Sequence, residues 1–335
     1  MLIVVFTVTS TIANKNVACI LKKIYHTDEI ESPIACEIHR TNFQGREDFI
    51  ISVDETRIND LAYKNSEEEL HNSVDPLSLV TVFKFESSKI STIPNQIFRK
   101  LMWLQNFIAS GVQMHNINSL SFNNAANLLT IMLNDNRITT INSYTFVHTK
   151  KLKILDLSNN EISYIHESAF NSLKNLERLG LSYNNLKSLD DTTFNPLQSI
   201  EWIWLDHNRL TMLQSNLFEE DNKMLVGVDI SNNEIISISP YIFDNLDKLL
   251  FLDLSGNNCI DKNFKNHGIQ DNISIKFELH HCHRAYRNDI PDEPMRNYTR
   301  RLEETVKSAD SCFVETELLH QQLEKVRKET QTLLK

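Results

Sequence analysis

Three imidazoles and a thiol stand together at His280, His281, Cys282 and His283, the donor types of a zinc site. Their adjacency works against that chemistry. Neighbouring residues on a strand point to opposite faces, and no second ligand pair stands at metal-finger spacing. A cap cysteine beside solvated histidines accounts for the run. Carboxylates recur at Asp156, Asp229 and Asp253, but their recurrence follows a longer period in the chain. They read as an acidic column and not as an acid–base pair. The nucleophile turn G-x-S-x-G, the zinc motif H-E-x-x-H and the phosphate-binding glycine loop are all missing from the sequence. Six Gly in 335 residues is also low for an enzyme that builds phosphate loops. The reading is therefore no catalytic residue, no cofactor and no metal. A net charge of −10 argues against nucleic acid, whose binding rests on Lys and Arg, and against an anionic membrane surface.

The period behind those carboxylates organises the chain. Residues 151–174 and 175–198 align at an offset of 24, both reading L-x-x-L-x-L-x-x-N-x-L-x-x-L and then Phe and Leu. The first apolar position recurs at Val80, Leu104, Leu128, Leu152, Leu176, Ile200, Leu225 and Leu249, six steps of 24 residues and one of 25. Such a pattern predicts a solenoid in which Leu152, Leu155, Leu157 and their equivalents point inward from short strands and stack coil on coil. Turning the chain after each strand strands backbone groups that an Asn amide, both donor and acceptor, can satisfy. The expected ladder is Asn136, Asn160, Asn184, Asn208, Asn233 and Asn257, with a spine of Phe98, Phe122, Phe146, Phe170, Phe194, Phe218 and Phe243 on the other side. Ser88 and Val112 replace Asn in the first coils, which should be less regular. All these residues are core.

A solenoid needs covered ends. Residues 1–13 contain an apolar stretch from Leu2 to Ala13, too short for a bilayer and suited to a signal peptide, although no Lys or Arg precedes it. A buried first strand is the alternative. Residues 14–79 form an N-terminal cap holding Cys19 and Cys36, 80–258 the eight repeats, and 259–284 a C-terminal cap with Cys259 and Cys282. In an oxidising compartment the five cysteines read as two cap disulfides, Cys19–Cys36 and Cys259–Cys282, leaving Cys312 over. In the cytosol they would be buried thiols. Sequons at Asn272 and Asn297 suit a secreted, glycosylated chain.

Residues 285–299, with Pro291 and Pro294, form a linker, and 300–335 lose the 24-residue period. There Leu302, Thr305, Ala309, Cys312, Thr316, Leu319, Leu323, Val326, Thr330 and Leu333 alternate by three and four, the seam of a coiled coil. Cys312 lies on that seam, where parallel helices would bring two copies close enough for an interchain disulfide. A lone helix folded back on the repeats is the other reading.

Binding is expected on the concave strand face, at positions between the inward Leu residues. These include Trp202, Trp204, Asp206 and His207 in one coil, Arg178 and Tyr183 in the coil before, and Met132 two coils further back. The pattern places both Trp in solvent, as a partner-binding patch; packing on each other, or beneath a glycan or the tail, is the competing account.

Taken together, signal peptide, N-terminal Cys pair, 24-residue repeats, Cys-bearing cap and helical tail resemble the secreted leucine-rich-repeat immune proteins of mosquitoes and related flies. The repeats alone are similar to those of Toll-like receptor ectodomains. The resemblance implies an α/β leucine-rich-repeat solenoid, a curved horseshoe with parallel strands on its concave face, circulating outside the cell. It also implies a disulfide-linked homo- or heterodimer that binds a complement-like thioester protein. One departure is that Cys282 stands alone where the family often has adjacent cysteines. A soluble adhesion or receptor-type module in signalling or development is the second reading.

Overall fold

A computed structural model describes the backbone of five N-terminal strands, then residues 80–265 except 87, 95, 219, 240, 241 and 244, and positions 275, 278, 279 and 282. The tail with Cys312, the linker, Asn272, Asn297, His280, His281 and His283 lie outside the described residues.

The N-terminal strands are β1 (Val4–Ser10), β2 (Lys15–Lys23), β3 (Ile34–His39), β4 (Asn42–Phe43) and β5 (Phe49–Val53). The repeats follow with β6 (Val80–Glu86), β7 (Lys89–Ile90), α1 (Gln96–Lys100), β8 (Asn106–Ile108), β9 (Thr130–Met132) and β10 (Thr140–Ile141). After these come β11 (Ile154–Asp156), β12 (Tyr164–Ile165), β13 (Arg178–Gly180), β14 (Trp202–Trp204) and β15 (Met212–Leu213). The last are β16 (Gly227–Asp229), β17 (Ser237–Ile238), β18 (Phe251–Asp253) and β19 (Asn263–Lys265).

Eight of these strands, β6, β8, β9, β11, β13, β14, β16 and β18, pair in parallel in chain order, so seven turns of chain connect them. Among the described residues the return side is mostly tight turns, with α1 and the 3-10 turn Glu220–Asn222 as its helical pieces. The helical share of this α/β solenoid is thus small, because a 24-residue coil leaves little chain for the return.

The core is the inward strand row plus the turn-side aromatics. Leu155, Leu157, Leu179, Leu181, Ile203 and Leu205 are all fully buried. Consecutive rings of the spine lie 5.9, 5.5, 6.2, 6.5, 5.8 and 6.2 Å apart from Phe98 to Phe243. Each ladder amide works between two coils. Asn184 Oδ1 accepts from the Ile162 N–H at 2.9 Å, while its Nδ2 donates to Leu157 O and Leu181 O at 3.1 and 3.0 Å. The same pattern holds from Asn136 to Asn257.

Irregularities have local causes. In the first coils Phe83, Phe85 and Phe107 fill the core, with Phe107 5.2 Å from Phe98, and Val112 is buried where the ladder would have an amide. The single 25-residue step falls in the coil with the turn Glu220–Asn222. There Asn222 is fully buried and donates to Phe194 O and Leu197 O at 3.0 and 3.3 Å.

The ends differ from the middle. β3 joins the sheet beside β6 in parallel, and β2, β1 and β5 continue it antiparallel. β1 falls in the segment read as a leader and lies between β2 and β5, so cleavage at Ala13 would remove that strand. Cys19 stands opposite Ile38 and Cys36 opposite Leu21 on the neighbouring strands β2 and β3. At the other end Cys259 is bonded to Cys282, with Cα atoms 5.1 Å apart, and Cys282 O accepts the Ile238 N–H at 3.2 Å. β19 then pairs antiparallel with β18.

Candidate functional site

Alternation along each strand puts one side chain in two on the face of the sheet that points away from the core. Strand register orders these positions into columns. One runs Asn106, Thr130, Ile154, Arg178, Trp202, Gly227, Phe251, and the next runs Ile108, Met132, Asp156, Gly180, Trp204, Asp229, Asp253.

Trp202 and Trp204 therefore do lie on this open face, but they are part-buried and not fully exposed, which corrects the expectation of indoles standing in solvent. Their rings stack at 5.6 Å with planes 15° apart, and Trp202 also meets Phe251 at 5.8 Å. Room for this comes from Gly227, register partner of Trp202: a Cβ there would fall 2.2 Å from two indole carbons. Leu250, which precedes Phe251 in the chain, is 50% exposed.

The acidic column is interrupted. Gly180 and Trp204 separate Asp156 from Asp229 and Asp253. Each carboxylate also secures its own turn: Asp156 accepts the Ser158 N–H at 2.9 Å. Asp229 and Asp253 accept both the N–H and the hydroxyl of Ser231 and Ser255. Burial lifts the Asp229 carboxyl above its ordinary range; the hydrogen bonds from Ser231 oppose that, and the nearby charges of Asp206 and Asp253 add to it.

A second aromatic pair sits where the strands turn. Tyr183 and His207 stack at 4.1 Å with planes 10° apart. His207 Nδ1 lies 2.9 Å from Asp206 Oδ2, and the Ser182 hydroxyl donates to Asp206 Oδ1. Both aromatic residues have left-handed backbone, φ 53°, at the position just before the ladder Asn. The same position is left-handed at Gly111, Asp135, Asn159, Asn232 and Gly256, residue types that tolerate it far better than Tyr. That column of Gly, Asn and Asp was the sequence signal for the strained Tyr183, and it was missed.

Of the residues singled out from the sequence, Trp202 and Trp204 form one group and Tyr183, Asp206 and His207 another. Arg178 is exposed, as register partner of Trp202. Met132 is not brought to either group; it lies three strands before Trp204, between Ile108 and Asp156. Among the described residues no cluster of three or more His, Cys, Asp or Glu could hold a metal ion. No helix among them is long and apolar enough to cross a membrane.

No curated protein matches the chain. The family model for the leucine rich repeat matches residues 104–162, 150–210 and 203–258. That span holds the amide ladder and most of the parallel sheet, leaving out the first coil with its buried Ser88. Leucine-rich-repeat domains generally mediate binding between proteins and typically serve as non-enzymatic scaffolds. Repeats and solenoid fold together support a leucine-rich-repeat protein.

Proposed function

We propose that this chain is a secreted binding protein of insect innate immunity that engages its protein ligand through the open face of the sheet. The observation that carries the binding reading is the stacked pair Trp202 and Trp204, two large rings placed at positions the fold does not need for its core. Tyr183, Asp206, His207 and Arg178 extend the surface, and Met132 marks its far side. Trp, Tyr and Arg are the residues that most often carry interface energy.

The immune assignment rests on the resemblance of the repeats, caps and tail to the mosquito family. In that reading residues 1–13 are removed on secretion, Cys19 and Cys36 close the first cap, and Asn272 and Asn297 carry glycans away from the open face. The tail forms a coiled coil in which Cys312 joins two chains, and the complex binds a complement-like thioester protein.

Trp204→Ala tests the binding surface. The variant should fold with a thermal midpoint near that of the parent while partner affinity falls by more than about 30-fold. Normal binding, or simple unfolding, would return the indoles to a packing role. Non-reducing gels of secreted Cys312→Ser protein test the tail: loss of a dimer band is expected, and an unchanged monomer band ends the covalent-complex reading. Mass analysis of the secreted chain should find it beginning at Asn14, whereas a chain retaining β1 would overturn the leader.

A further inference from the structure

The open face is not uniform. Its first strands present Val82 and Lys84, then the uncharged Asn106, Ile108, Thr130 and Met132, whereas the later strands combine aromatic rings with carboxylates. Trp202, Trp204 and Phe251 make a continuous aromatic platform. Asp229 is the register partner of Trp204 and Asp253 that of Asp229, and parallel strands are about 4.8 Å apart, so carboxylates border the rings on that side. Asp206 follows Trp204 by two residues, and Glu201 precedes Trp202. The Asp229 carboxylate accepts from Ser231 through Oδ1. Asp253 accepts from Ser255 on Oδ1 and from Asn263 on Oδ2, and Asp206 from Ser182 on Oδ1 with His207 Nδ1 beside Oδ2. Basic residues stand in register at the two sides of the platform: Arg178 is the register partner of Trp202 one strand back, and Lys265 on β19 is that of Phe251, while Lys153 is paired with Glu177 at 2.7 Å.

An aromatic surface edged by several carboxylates attracts a group that is flat, apolar on its faces and positively charged. We propose that this platform receives a basic segment of the protein ligand, an arginine side chain lying against the Trp202–Trp204 pair with its guanidinium between the carboxylates of Asp229, Asp253 and Asp206. Rings attract a cation through their quadrupole, and arginine adds stacking and a fork of donors that matches carboxylates. Partial burial strengthens both effects, since Asp229 is already shielded enough for its carboxyl to titrate high. A cation there would relieve the mutual repulsion of Asp206, Asp229 and Asp253. The inference rests on the open face being the binding face, and it adds the chemistry of the ligand.

The full-length chain carrying Trp103→Phe retains Trp202 and Trp204 as its only indoles, because the chain has three Trp. Its fluorescence should change on titration with a synthetic peptide of alternating Arg and Ser. A twin peptide with Gln for Arg should bind roughly tenfold more weakly, and raising salt from low to physiological strength should weaken the Arg peptide in the same direction. The double variant Asp229→Asn, Asp253→Asn should lose about as much affinity for the Arg peptide and little for the Gln twin. Asn keeps an acceptor for Ser231 and Ser255, so this variant retains its turns, as a thermal midpoint no lower than the parent's would verify. Equal binding of the two peptides, or none, overturns the proposal. So does self-association that Trp204→Ala abolishes, which would assign the face to a second copy. If capture of the natural ligand is lost in Trp204→Ala yet unaffected by salt and by the double Asn variant, the binding face stands and the cationic ligand falls.

Discussion

The two sides of each coil follow different rules. On the inner and turn side the repeats place the same residue type at the same point, as in the buried rings from Phe98 to Phe243 and, from the third repeat on, the amides from Asn136 to Asn257. On the open face the same strand position is Asn, Thr, Ile, Arg, Trp, Gly and Phe in successive coils. A position that must pack against its own copies in the neighbouring coils is held to one shape. A position facing solvent is free of that demand, and what accumulates there answers to something outside the chain. Departure from the period, more than any single residue type, marks the surface proposed to bind.

The sharpest way to break this contrast is to remove one periodic residue and one aperiodic residue and compare the cost. Asn184→Ala leaves Leu157 O, Leu181 O and the Ile162 N–H without their partner in a buried position. Chemical denaturation should show a loss of about 3 kcal/mol or more, since each orphaned group costs about 1–3 kcal/mol. A loss below about 1 kcal/mol would mean the ladder is dispensable and the contrast false.

Tyr183→Asn should move stability the other way. Left-handed backbone costs an ordinary side chain about 1–2 kcal/mol, and Asn tolerates it better. Part of that gain is offset by losing the stack on His207, leaving a rise of about 0.5–1 kcal/mol by thermal unfolding. Partner affinity should fall. Stability that rises with affinity unchanged would show that the strain at Tyr183 serves no ligand.

The smallest expected effect is that of Asp229→Asn on stability. Burial raises this carboxyl's pKa, so the folded chain holds the proton to higher pH than the unfolded chain does. Its contribution to folding is therefore most favourable below the ordinary carboxylate range and declines as pH rises through the elevated folded value. The Asn variant should match the parent in acid and exceed it slightly at neutral pH, with the gap opening across that window. A gap that opens in the opposite direction would place Asp229 in a stabilising ion pair.

Much of this was legible from residue spacing. Leu155, Asn184 and Phe170 announce their roles because each is one of a series. The series also revealed where Trp202 and Trp204 stand, but not what they do there. Their stacking depends on the missing side chain of Gly227, which lies 25 residues on in the sequence and directly beside Trp202 in the sheet. Asn222 escaped because the inserted residue in its coil breaks the alignment, so a buried amide looked like one more polar loop residue. Tyr183 escaped because its backbone is set by place in the coil and not by its own preference.

The reversed final strand has a consequence for how the molecule meets copies of itself. A stack of parallel coils ends in an edge whose unpaired amides could template the next coil, including one from another molecule. β19 runs against that direction, pairing Leu252 with Phe264 and Asp253 with Asn263, and the N-terminal end likewise passes from β3 to strands of alternating sense that end on the reversed β5. A foreign coil would not find at either end the parallel strand that each coil pairs with inside the stack. Chain reversal thus acts as a terminator on both sides, limiting the solenoid to its encoded length and guarding a repetitive sequence against growing into a fibre.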